Sequence, residues 1–204
     1  MQKVVIIEDN ESLLMSFKEI VNSSVEFEVL GAFLNCEDAL LFCKDEEPDI
    51  ILIDIKLPGI NGIEGIKRFH YQNPKAKSVV ISVYEDSDYI FDALSAGAIG
   101  YLTKNTNPEE LINALKQVKK GGSPMSGSIA RKVIAYFQMP KQEGLTMREN
   151  EVVKLLAKGR SYATIAEELS LSVNTIKTHT RNIYEKLHVS KKEELMQKLK
   201  NSGM

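Results

Sequence analysis

The sequence predicts an α/β domain built on a parallel sheet, followed by a smaller all-helical domain. Short apolar runs rich in Val and Ile alternate with segments of helical spacing over residues 1–122. The length of 204 residues exceeds that of most single domains. The sign of the net charge also changes along the chain, which favours two units with different partners.

Five segments are expected to be strands. Most are apolar on both alternating faces, as is typical of strands that helices cover on both sides. In chain order they are VVII at 4–7, Phe27 to Phe33, IILI at 50–53, VVI at 79–81 and GYLT at 100–103. Every crossover is long enough for right-handed parallel pairing. By analogy with other open α/β sheets, we expect a flavodoxin-like, doubly wound parallel sheet of strand order 2-1-3-4-5.

Five helices are expected around these strands, because apolar residues recur there at intervals of three and four. These positions lie at 13–21, 39–42, 63–69, 90–94 and 111–115. The first domain is therefore expected over residues 1–122. A linker with one short helix, roughly Ser126 to Phe137, is expected over 123–143, and the helical domain over 144–204.

The charge of the chain changes sign at the boundary near Gly121-Gly122. Residues 1–122 contain 12 Lys and Arg against 20 Asp and Glu, and residues 123–204 contain 14 against 8. The net charges are therefore −8 and +6, which together give the −2 of the whole chain. The acidic half is suited to a divalent cation and the basic half to a polyanion.

Polar residues follow four of the predicted strands at the point where each strand ends. They are Asp9, Asp54, Ser82 and Lys104. Because the carboxyl ends of parallel strands meet at one edge of a sheet, we expect these side chains to converge on one pocket. Two carboxylates, a hydroxyl and an ammonium group there indicate a metal-assisted phosphoryl site.

Glu8 lies beside Asp9 and adds a third carboxylate close to Asp54. Such a cluster is electrostatically unfavourable unless a cation lies within it. The expected metal is Mg²⁺, with oxygen ligands from this cluster and from a backbone carbonyl near Lys56. Asp54 is expected to act as a nucleophile, because the following turn leaves its carboxylate at the tip of the strand.

Lys104 and Ser82 are expected to contact a phosphoryl group held at Asp54. The lysine would act on one phosphoryl oxygen as a point charge, and the hydroxyl would donate a hydrogen bond to another. The metal and the lysine would together neutralise the charge that develops during transfer.

The first domain resembles the receiver domain of two-component response regulators over nearly its whole length. The resemblance lies in the Glu8-Asp9 pair, the segment LIDIKLPGINGIE around Asp54, the VVIS run and the segment SAGAIGYLTK, in this order. It implies that Asp54 accepts a phosphoryl group from a phosphohistidine of a sensor histidine kinase. It also implies a switch pair, in which Ser82 moves toward the phosphoryl group and the Tyr101 ring turns into the vacated space, changing the surface of the fourth helix and fifth strand.

Three positions depart from the commonest receiver pattern. Asn105 stands where receivers often have a proline. Lys56 and Tyr84 lie two residues after Asp54 and Ser82, at positions that in the family flank the path of hydrolytic water. We hypothesise that their bulk lengthens the lifetime of the phosphoryl group.

The basic half has the spacing of a helix-turn-helix. The segment Thr146-Met147-Arg148-Glu149 has the pattern of a capping box, and the helix that it begins ends at Gly159. Ser161 can cap a second helix. A brief turn at 170–172 then leads into a third helix that begins near Val173.

The third helix of this domain is expected to have two faces. Its inward stripe consists of Val173, Ile176, Thr180, Ile183 and Leu187. The outer stripe offers amide, ammonium, hydroxyl and guanidinium groups to a major groove, through Asn174, Lys177, Thr178, Arg181 and Glu185.

The basic half also resembles the LuxR-type output domain, through LTMRENEVVKLLAKG followed by TIAEELSLSVNTIKTHTRNIYEKLHVS. The resemblance makes Lys177, Thr178 and Arg181 the expected DNA-contacting residues, with Asn174 and Thr175 near the phosphates. A fourth helix follows with an apolar edge of Leu195, Met196 and Leu199. By similarity this edge joins two output domains, so a homodimer is expected on phosphorylation or on promoter DNA.

The sequence thus predicts a DNA-binding response regulator that is not an enzyme. A cytoplasmic location without a membrane partner is expected. The acidic residues after the first strand do not fit a signal peptide, and no apolar run is long enough to span a bilayer. An aspartate-nucleophile phosphatase is disfavoured, since its signature needs an acid two residues after the nucleophile, where this chain has Lys56. The alternative is a phosphorylation-independent DNA-binding regulator that uses the receiver as a dimerisation module.

Overall fold

The computed structural model describes residues 1–138, 144–169 and 171–201. The chain forms two compact units, Met1–Ile134 and Ala135–Met204. The first is an α/β unit and the second is helical, as the sequence predicts. The elements of the α/β unit are β1 (Gln2–Ile7), α1 (Glu11–Asn22), β2 (Phe27–Phe33), α2 (Cys36–Phe42), β3 (Ile50–Ile53), α3 (Gly62–Gln72), β4 (Lys77–Ser82), α4 (Ser87–Ser95), β5 (Gly100–Thr103) and α5 (Pro108–Lys119).

The five strands form one parallel sheet of order β2-β1-β3-β4-β5, which confirms the predicted order. Ile7 at the end of β1 pairs with Ile53 at the end of β3. Ser82 at the end of β4 pairs with Thr103 at the end of β5. The residues that follow these four strands are therefore brought to one edge of the sheet.

Alternation along the strands divides the core into two layers. Val5 and Ile7 face a layer formed with α2, α3 and α4, whereas Val4 and Ile6 face a layer formed with α1 and α5. All four side chains are fully buried. Because helices cover both faces of the sheet, the strand sequences are continuous apolar runs.

Four helices of this unit begin in the same way. An asparagine in extended conformation accepts a hydrogen bond from the backbone N–H three residues later. These N-caps are Asn10, Asn35, Asn61 and Asn107. Each satisfies one of the donors that a helix start leaves without an intrahelical partner.

The predicted linker helix is present as α6 (Gly127–Gln138). Its Ile129 is fully buried in the core layer of α2, α3 and α4, and Val133 packs against the same layer. The first part of the linker is therefore packed on the α/β unit.

The helical unit contains α7 (Met147–Ala157), α8 (Tyr162–Glu168), α9 (Val173–Lys186) and α10 (Lys192–Asn201). Their apolar faces share one core, in which Val152, Ile165 and Ile183 are fully buried. In the part of the chain that the structure describes, none of the helices is long and apolar enough to cross a bilayer.

Gly62 allows the loop after β3 to fold back on its own strand. A Cβ atom at this first residue of α3 would lie 1.9 Å from the backbone oxygen of Asp54. The same atom at Gly127, the first residue of α6, would meet no heavy atom within 4 Å. The two glycines therefore form a matched pair, one in a crowded and one in an open position.

We expect Gly62→Ala to destabilise the protein by about 1–3 kcal/mol, because the methyl group overpacks the turn that holds Asp54. Gly127→Ala should be neutral, or stabilising by up to about 1 kcal/mol through the unfolded state. Urea denaturation followed by circular dichroism measures both. Equal stability of the two variants would contradict the crowding argument.

Candidate functional site

Backbone pairing at the carboxyl edge of the sheet brings the four predicted strand-end residues together. The Asp54 N–H donates to the Ile7 carbonyl at 3.0 Å, and the Lys104 N–H donates to the Ser82 carbonyl at 3.0 Å. The backbone hydrogen bonds between strands thus continue one residue beyond β3 and β5. They fix the backbone positions from which the Asp54 and Lys104 side chains extend. The convergence expected from the sequence is present.

The carboxylate of Asp54 accepts three hydrogen bonds. Its Oδ1 accepts from Ser82 Oγ at 2.6 Å and from the Ile55 N–H at 2.6 Å. Its Oδ2 accepts from Lys104 Nζ at 2.7 Å. Asp54 is only 3 % exposed, so these donors replace the water that the charged group loses on burial.

Lys104 also contacts Glu8, which is completely buried. Its Nζ donates to Glu8 Oε1 at 2.8 Å and lies 2.6 Å from Oε2, although Oε2 has no contact of hydrogen-bond geometry. Burial raises the pKa of Glu8 above its ordinary value, against the opposing effect of the lysine. Burial alone would lower the pKa of Lys104, but its hydrogen bonds to Asp54 and Glu8 outweigh this and raise it.

Glu8, Asp9 and Asp54 form a group of carboxylates that could hold a metal ion. Ligand oxygens of the three residues lie within 4.8 Å of one another. The set fits a hard cation, because its donors are all oxygens and Glu8 Oε2 is buried without a hydrogen bond. With Lys104, the three carboxylates carry a formal charge of −2, which one divalent cation would balance. Lys56 lies on the loop after Asp54, and the role expected for its backbone carbonyl stays a prediction.

Ser82 and Tyr101, the expected switch pair, are both directed inward. The Ser82 hydroxyl is buried and donates to Asp54, and the Tyr101 ring is fully buried between the sheet and its helices. The Tyr101 hydroxyl donates to the backbone carbonyl of Tyr84. Burial, followed by the nearby Asp54 charge, raises the pKa of Tyr101.

Lys56 contacts two tyrosine rings near the pocket. Its Nζ lies 4.9 Å from the centre of the Tyr84 ring and 5.8 Å from that of Tyr89. The two ring centres are 5.3 Å apart. Sequence reasoning singled out Lys56 and Tyr84 but missed Tyr89, because nothing in the spacing of α4 shows which way its first turn faces.

In the helical unit, α8 ends at Glu168 and α9 begins at Val173; the turn predicted at 170–172 includes residue 170, which lies outside the described residues. Ser161 and Ser172 cap these two helices by accepting from the N–H groups of Thr164 and Thr175 at 3.1 and 3.0 Å. Ile176, Thr180 and Ile183 of α9 are buried, as predicted. Val173 is 39 % exposed, so its predicted inward position is wrong: it occupies the first turn, beyond the reach of the core.

The outer face of α9 carries the predicted polar residues. Asn174, Lys177, Thr178 and Arg181 are exposed, and Thr175 is half-buried beside the cap residue Ser172. Exposed amide, ammonium, hydroxyl and guanidinium groups on one helix face match the requirements of a major-groove reader.

The predicted apolar edge of α10 is different in the structure. Leu195 is fully buried and Leu199 is 3 % exposed, and both belong to the core of their own unit. Met196 is partly exposed and lines a shallow groove with Lys192, Glu193 and Gln197. The two leucines stabilise the fold and are not available to a second molecule.

Comparison with known protein families matches residues 4–116 to the response regulator receiver domain. Residues 143–199 match the luxR family of bacterial regulatory proteins. The receiver match alone covers more than half of the chain. The chain belongs to the response regulators.

Individual relatives agree with this assignment along both domains. This response regulator is 32% identical to the uncharacterized transcriptional regulatory protein YxjL of Bacillus subtilis, over 90% of this chain and 88% of the relative. It is 30% identical to the transcriptional regulatory protein LiaR of the same organism, over 93% and 92%. Among solved structures, the response regulator RcsB in complex with DNA matches with a TM-score of 0.66 over 98% of each chain. At 22% identity, that likeness shows the fold.

An ion pair between the buried Glu149 and the exposed Lys186 joins two helices of the regulator's LuxR-type domain. The carboxylate of Glu149 completes the capping box of α7 by accepting from the Thr146 N–H, and it accepts from Lys186 Nζ of α9 at 2.7 Å. Burial alone would raise the pKa of Glu149, but the hydrogen bonds from Lys186 and Thr146 outweigh burial and lower it. The pair therefore ties the last turn of α9 to the first turn of α7.

We expect Glu149→Gln to destabilise this domain by about 1–2 kcal/mol at neutral pH. Because the folded pKa of Glu149 lies below its ordinary value of 4.5, its stabilising effect is complete above about pH 4.5 and is lost as the pH falls through the folded value. The stability difference from wild type should therefore shrink in acid. Urea denaturation across this range measures it, with exposed Glu167→Gln as control. A difference that is constant with pH would refute the role of the charge.

Proposed function

We propose that this response regulator is a DNA-binding transcription regulator controlled by phosphorylation of Asp54. The phosphoryl group would come from a sensor histidine kinase in a Mg²⁺-dependent step. The observation that carries the proposal is the contact of one buried carboxylate, Asp54, with both Ser82 and Lys104 beside two further acids. We further propose the division into receiver, linker and output domain at 1–122, 123–143 and 144–204.

Each side chain at the sheet edge has a chemical task in this proposal. An Asp54 oxygen forms the bond to phosphorus while the bond from phosphorus to the kinase histidine nitrogen breaks. Lys104 already lies within 2.7 Å of Asp54 and stabilises negative charge as it moves onto the phosphoryl oxygens. The Ser82 hydroxyl donates a hydrogen bond to one of those oxygens. Glu8, Asp9, Asp54 and the backbone carbonyl of Lys56 would hold Mg²⁺, which would supply charge neutralisation when bound.

The switch would operate through the distribution between two receiver arrangements. A phosphoryl group that accepts from Ser82 favours the arrangement with Tyr101 inside. The structure has this inward arrangement, with the Tyr101 hydroxyl bonded to the loop after β4. In the other arrangement Tyr101 would occupy the surface of α4 and β5, so the two states would present different surfaces to partners.

The output domain would read promoter DNA with α9. Lys177, Thr178 and Arg181 would make contacts in the major groove, and Asn174 and Thr175 would make contacts near the phosphates. A homodimer would read two half-sites about one helical turn apart. Since Leu195 and Leu199 are buried, the exposed surface of α10 around Met196 is the part that a partner could contact.

The second candidate is a regulator that binds DNA independently of phosphate and uses its receiver for dimerisation. It would not need the Asp54–Lys104 contact or the acidic cluster, which favour the first proposal. Genome-wide selection of bound DNA fragments, with and without beryllofluoride as a phosphoryl mimic, compares the two. Identical fragments at identical protein concentrations would favour phosphate-independent binding.

Acetyl phosphate with Mg²⁺ should add one phosphoryl group to the wild type and none to Asp54→Ala, because the acceptor oxygen is gone. Chelation of the metal should abolish labelling of the wild type. Intact-protein mass spectrometry measures the addition. Asp45→Ala, which removes an exposed aspartate from the same domain, should label normally. Equal labelling of Asp54→Ala would show that the acceptor is another residue.

We expect Lys56→Ala and Tyr84→Ala to shorten the lifetime of the phosphoryl group about two- to fivefold, because each loses the cation–π contact between Lys56 and Tyr84 that is proposed to hinder hydrolytic water. The rate of phosphate release from the isolated phosphoprotein measures this. Lys67→Ala, an exposed lysine on α3, is the control. Unchanged decay in both variants would dismiss the shielding hypothesis.

Lys177→Ala and Arg181→Ala should each weaken binding of a selected promoter fragment by about 1–3 kcal/mol if they read bases. Substitution of a residue that contacts only phosphate should instead reduce the slope of log affinity against log salt concentration by about one. Titrations by fluorescence anisotropy at several salt concentrations separate the two effects. Lys158→Ala removes an exposed charge beyond α7 and should change affinity least. An equal loss in all three variants would mean that net charge alone governs binding.

A further inference from the structure

The linker begins by pairing with the edge of the sheet. Met125 forms an isolated parallel bridge with Tyr101 of β5. The Tyr101 N–H donates to the Pro124 carbonyl at 3.0 Å, and the Ser126 N–H donates to the Tyr101 carbonyl at 3.1 Å. Ser126 Oγ also accepts from the Thr103 N–H at 3.0 Å. The backbone of the proposed switch tyrosine is therefore bonded to the linker on both sides.

The linker helix α6 then reaches a second part of the site, the loop at 83–86 between β4 and α4. Lys132 Nζ donates to the backbone carbonyl of Glu85 and lies 3.3 Å from its carboxylate. Ile129, one helical turn earlier, is fully buried and fixes the position of α6 on the receiver. The lysine is thus presented to the loop by an anchored helix.

Two neighbouring carbonyl groups of this loop are consequently held from two directions. The Tyr84 carbonyl accepts from the Tyr101 hydroxyl of β5, and the Glu85 carbonyl accepts from Lys132 of α6. The loop follows directly on Ser82, whose hydroxyl contacts Asp54. It also carries the Tyr84 ring that packs with Lys56. The position of the loop therefore bears on both the donor to Asp54 and the contact between Tyr84 and Lys56.

We propose that Lys132 is a positioning residue for the phosphorylation of Asp54. By holding the Glu85 carbonyl, it keeps loop 83–86 in the arrangement in which the Ser82 hydroxyl reaches Asp54. The inference rests on the proposed function of the receiver. Because coupling between equilibria is reciprocal, docking of α6 that favours the phosphorylated arrangement of the loop is itself strengthened by a phosphoryl group at Asp54. The linker would then sense the state of the receiver directly.

The contact that matters in this inference is the one to the backbone carbonyl. The Lys132 and Glu85 side chains are 38% and 36% exposed, and an ion pair of such exposure contributes little by itself. A hydrogen bond to a main-chain carbonyl instead fixes the path of the loop, whichever way the Glu85 side chain turns. Arginine at position 132 can make the same bond, but alanine cannot.

The first test is the rate at which acetyl phosphate with Mg²⁺ labels Asp54 in the full chain. We expect Lys132→Ala to slow labelling about two- to fivefold, as partial loss of a coupled contact allows. Lys132→Arg should restore most of the rate. Arg131→Ala removes an exposed charge from the adjacent position of α6 and should label like the wild type. Wild-type labelling of Lys132→Ala would overturn the proposal.

The second test distinguishes positioning from a general loss of stability. Amide hydrogen exchange of residues 83–86 and 123–134 is measured with and without beryllofluoride. In the wild type the mimic should increase protection of both segments, and in Lys132→Ala the linker should no longer respond. A full linker response in Lys132→Ala would overturn the proposal even if labelling is slow. Absence of labelling in the wild type would overturn the proposed function itself.

Discussion

The ammonium group of Lys104 lies between two buried carboxylates, and the arrangement of the site depends on this contact. Glu8 and Asp54 end neighbouring parallel strands, so the sheet places like charges close together where little water can separate them. A lysine from a third strand offsets that repulsion with contacts of 2.6 to 2.8 Å. The acidic pocket can therefore form without a metal and still retain the excess negative charge that attracts one.

Around this charged centre, the parts proposed to respond to phosphorylation are connected mainly through backbone groups. The carbonyls of Tyr84 and Glu85 and the N–H and carbonyl of Tyr101 all take part. Backbone contacts of this kind constrain the path of a segment rather than one rotamer. A small displacement of the loop after β4 is therefore expected to be felt by β5 and by the start of the linker, because they share these bonds.

The two units present their proposed functional residues in different ways. The residues proposed to react lie at the ends of separate strands of the receiver, so this site depends on the register of the whole sheet. The LuxR-type domain carries its proposed reading residues on one helix, and tertiary contacts serve to orient that helix. The pair of Glu149 and Lys186 joins the capping box of α7 to the end of α9, which links a local helix signal to the placement of the reading face.

The sequence by itself determined the fold class and the convergence of Asp9, Asp54, Ser82 and Lys104, because strand periodicity and the geometry of parallel sheets leave few alternatives. The strand order came from analogy with other open α/β sheets, and the pairing of the strands confirms it. It also indicated which face of α9 is polar. Helix periodicity could not decide what covers each apolar position: Val173 is exposed and Leu195 is buried, since packing at helix ends depends on neighbouring helices. The contacts of Tyr89 with Lys56 and of Lys132 with Glu85 likewise join segments distant in sequence. Only the tertiary structure brings such side chains together, because no local pattern records the direction in which a loop or a first helical turn faces.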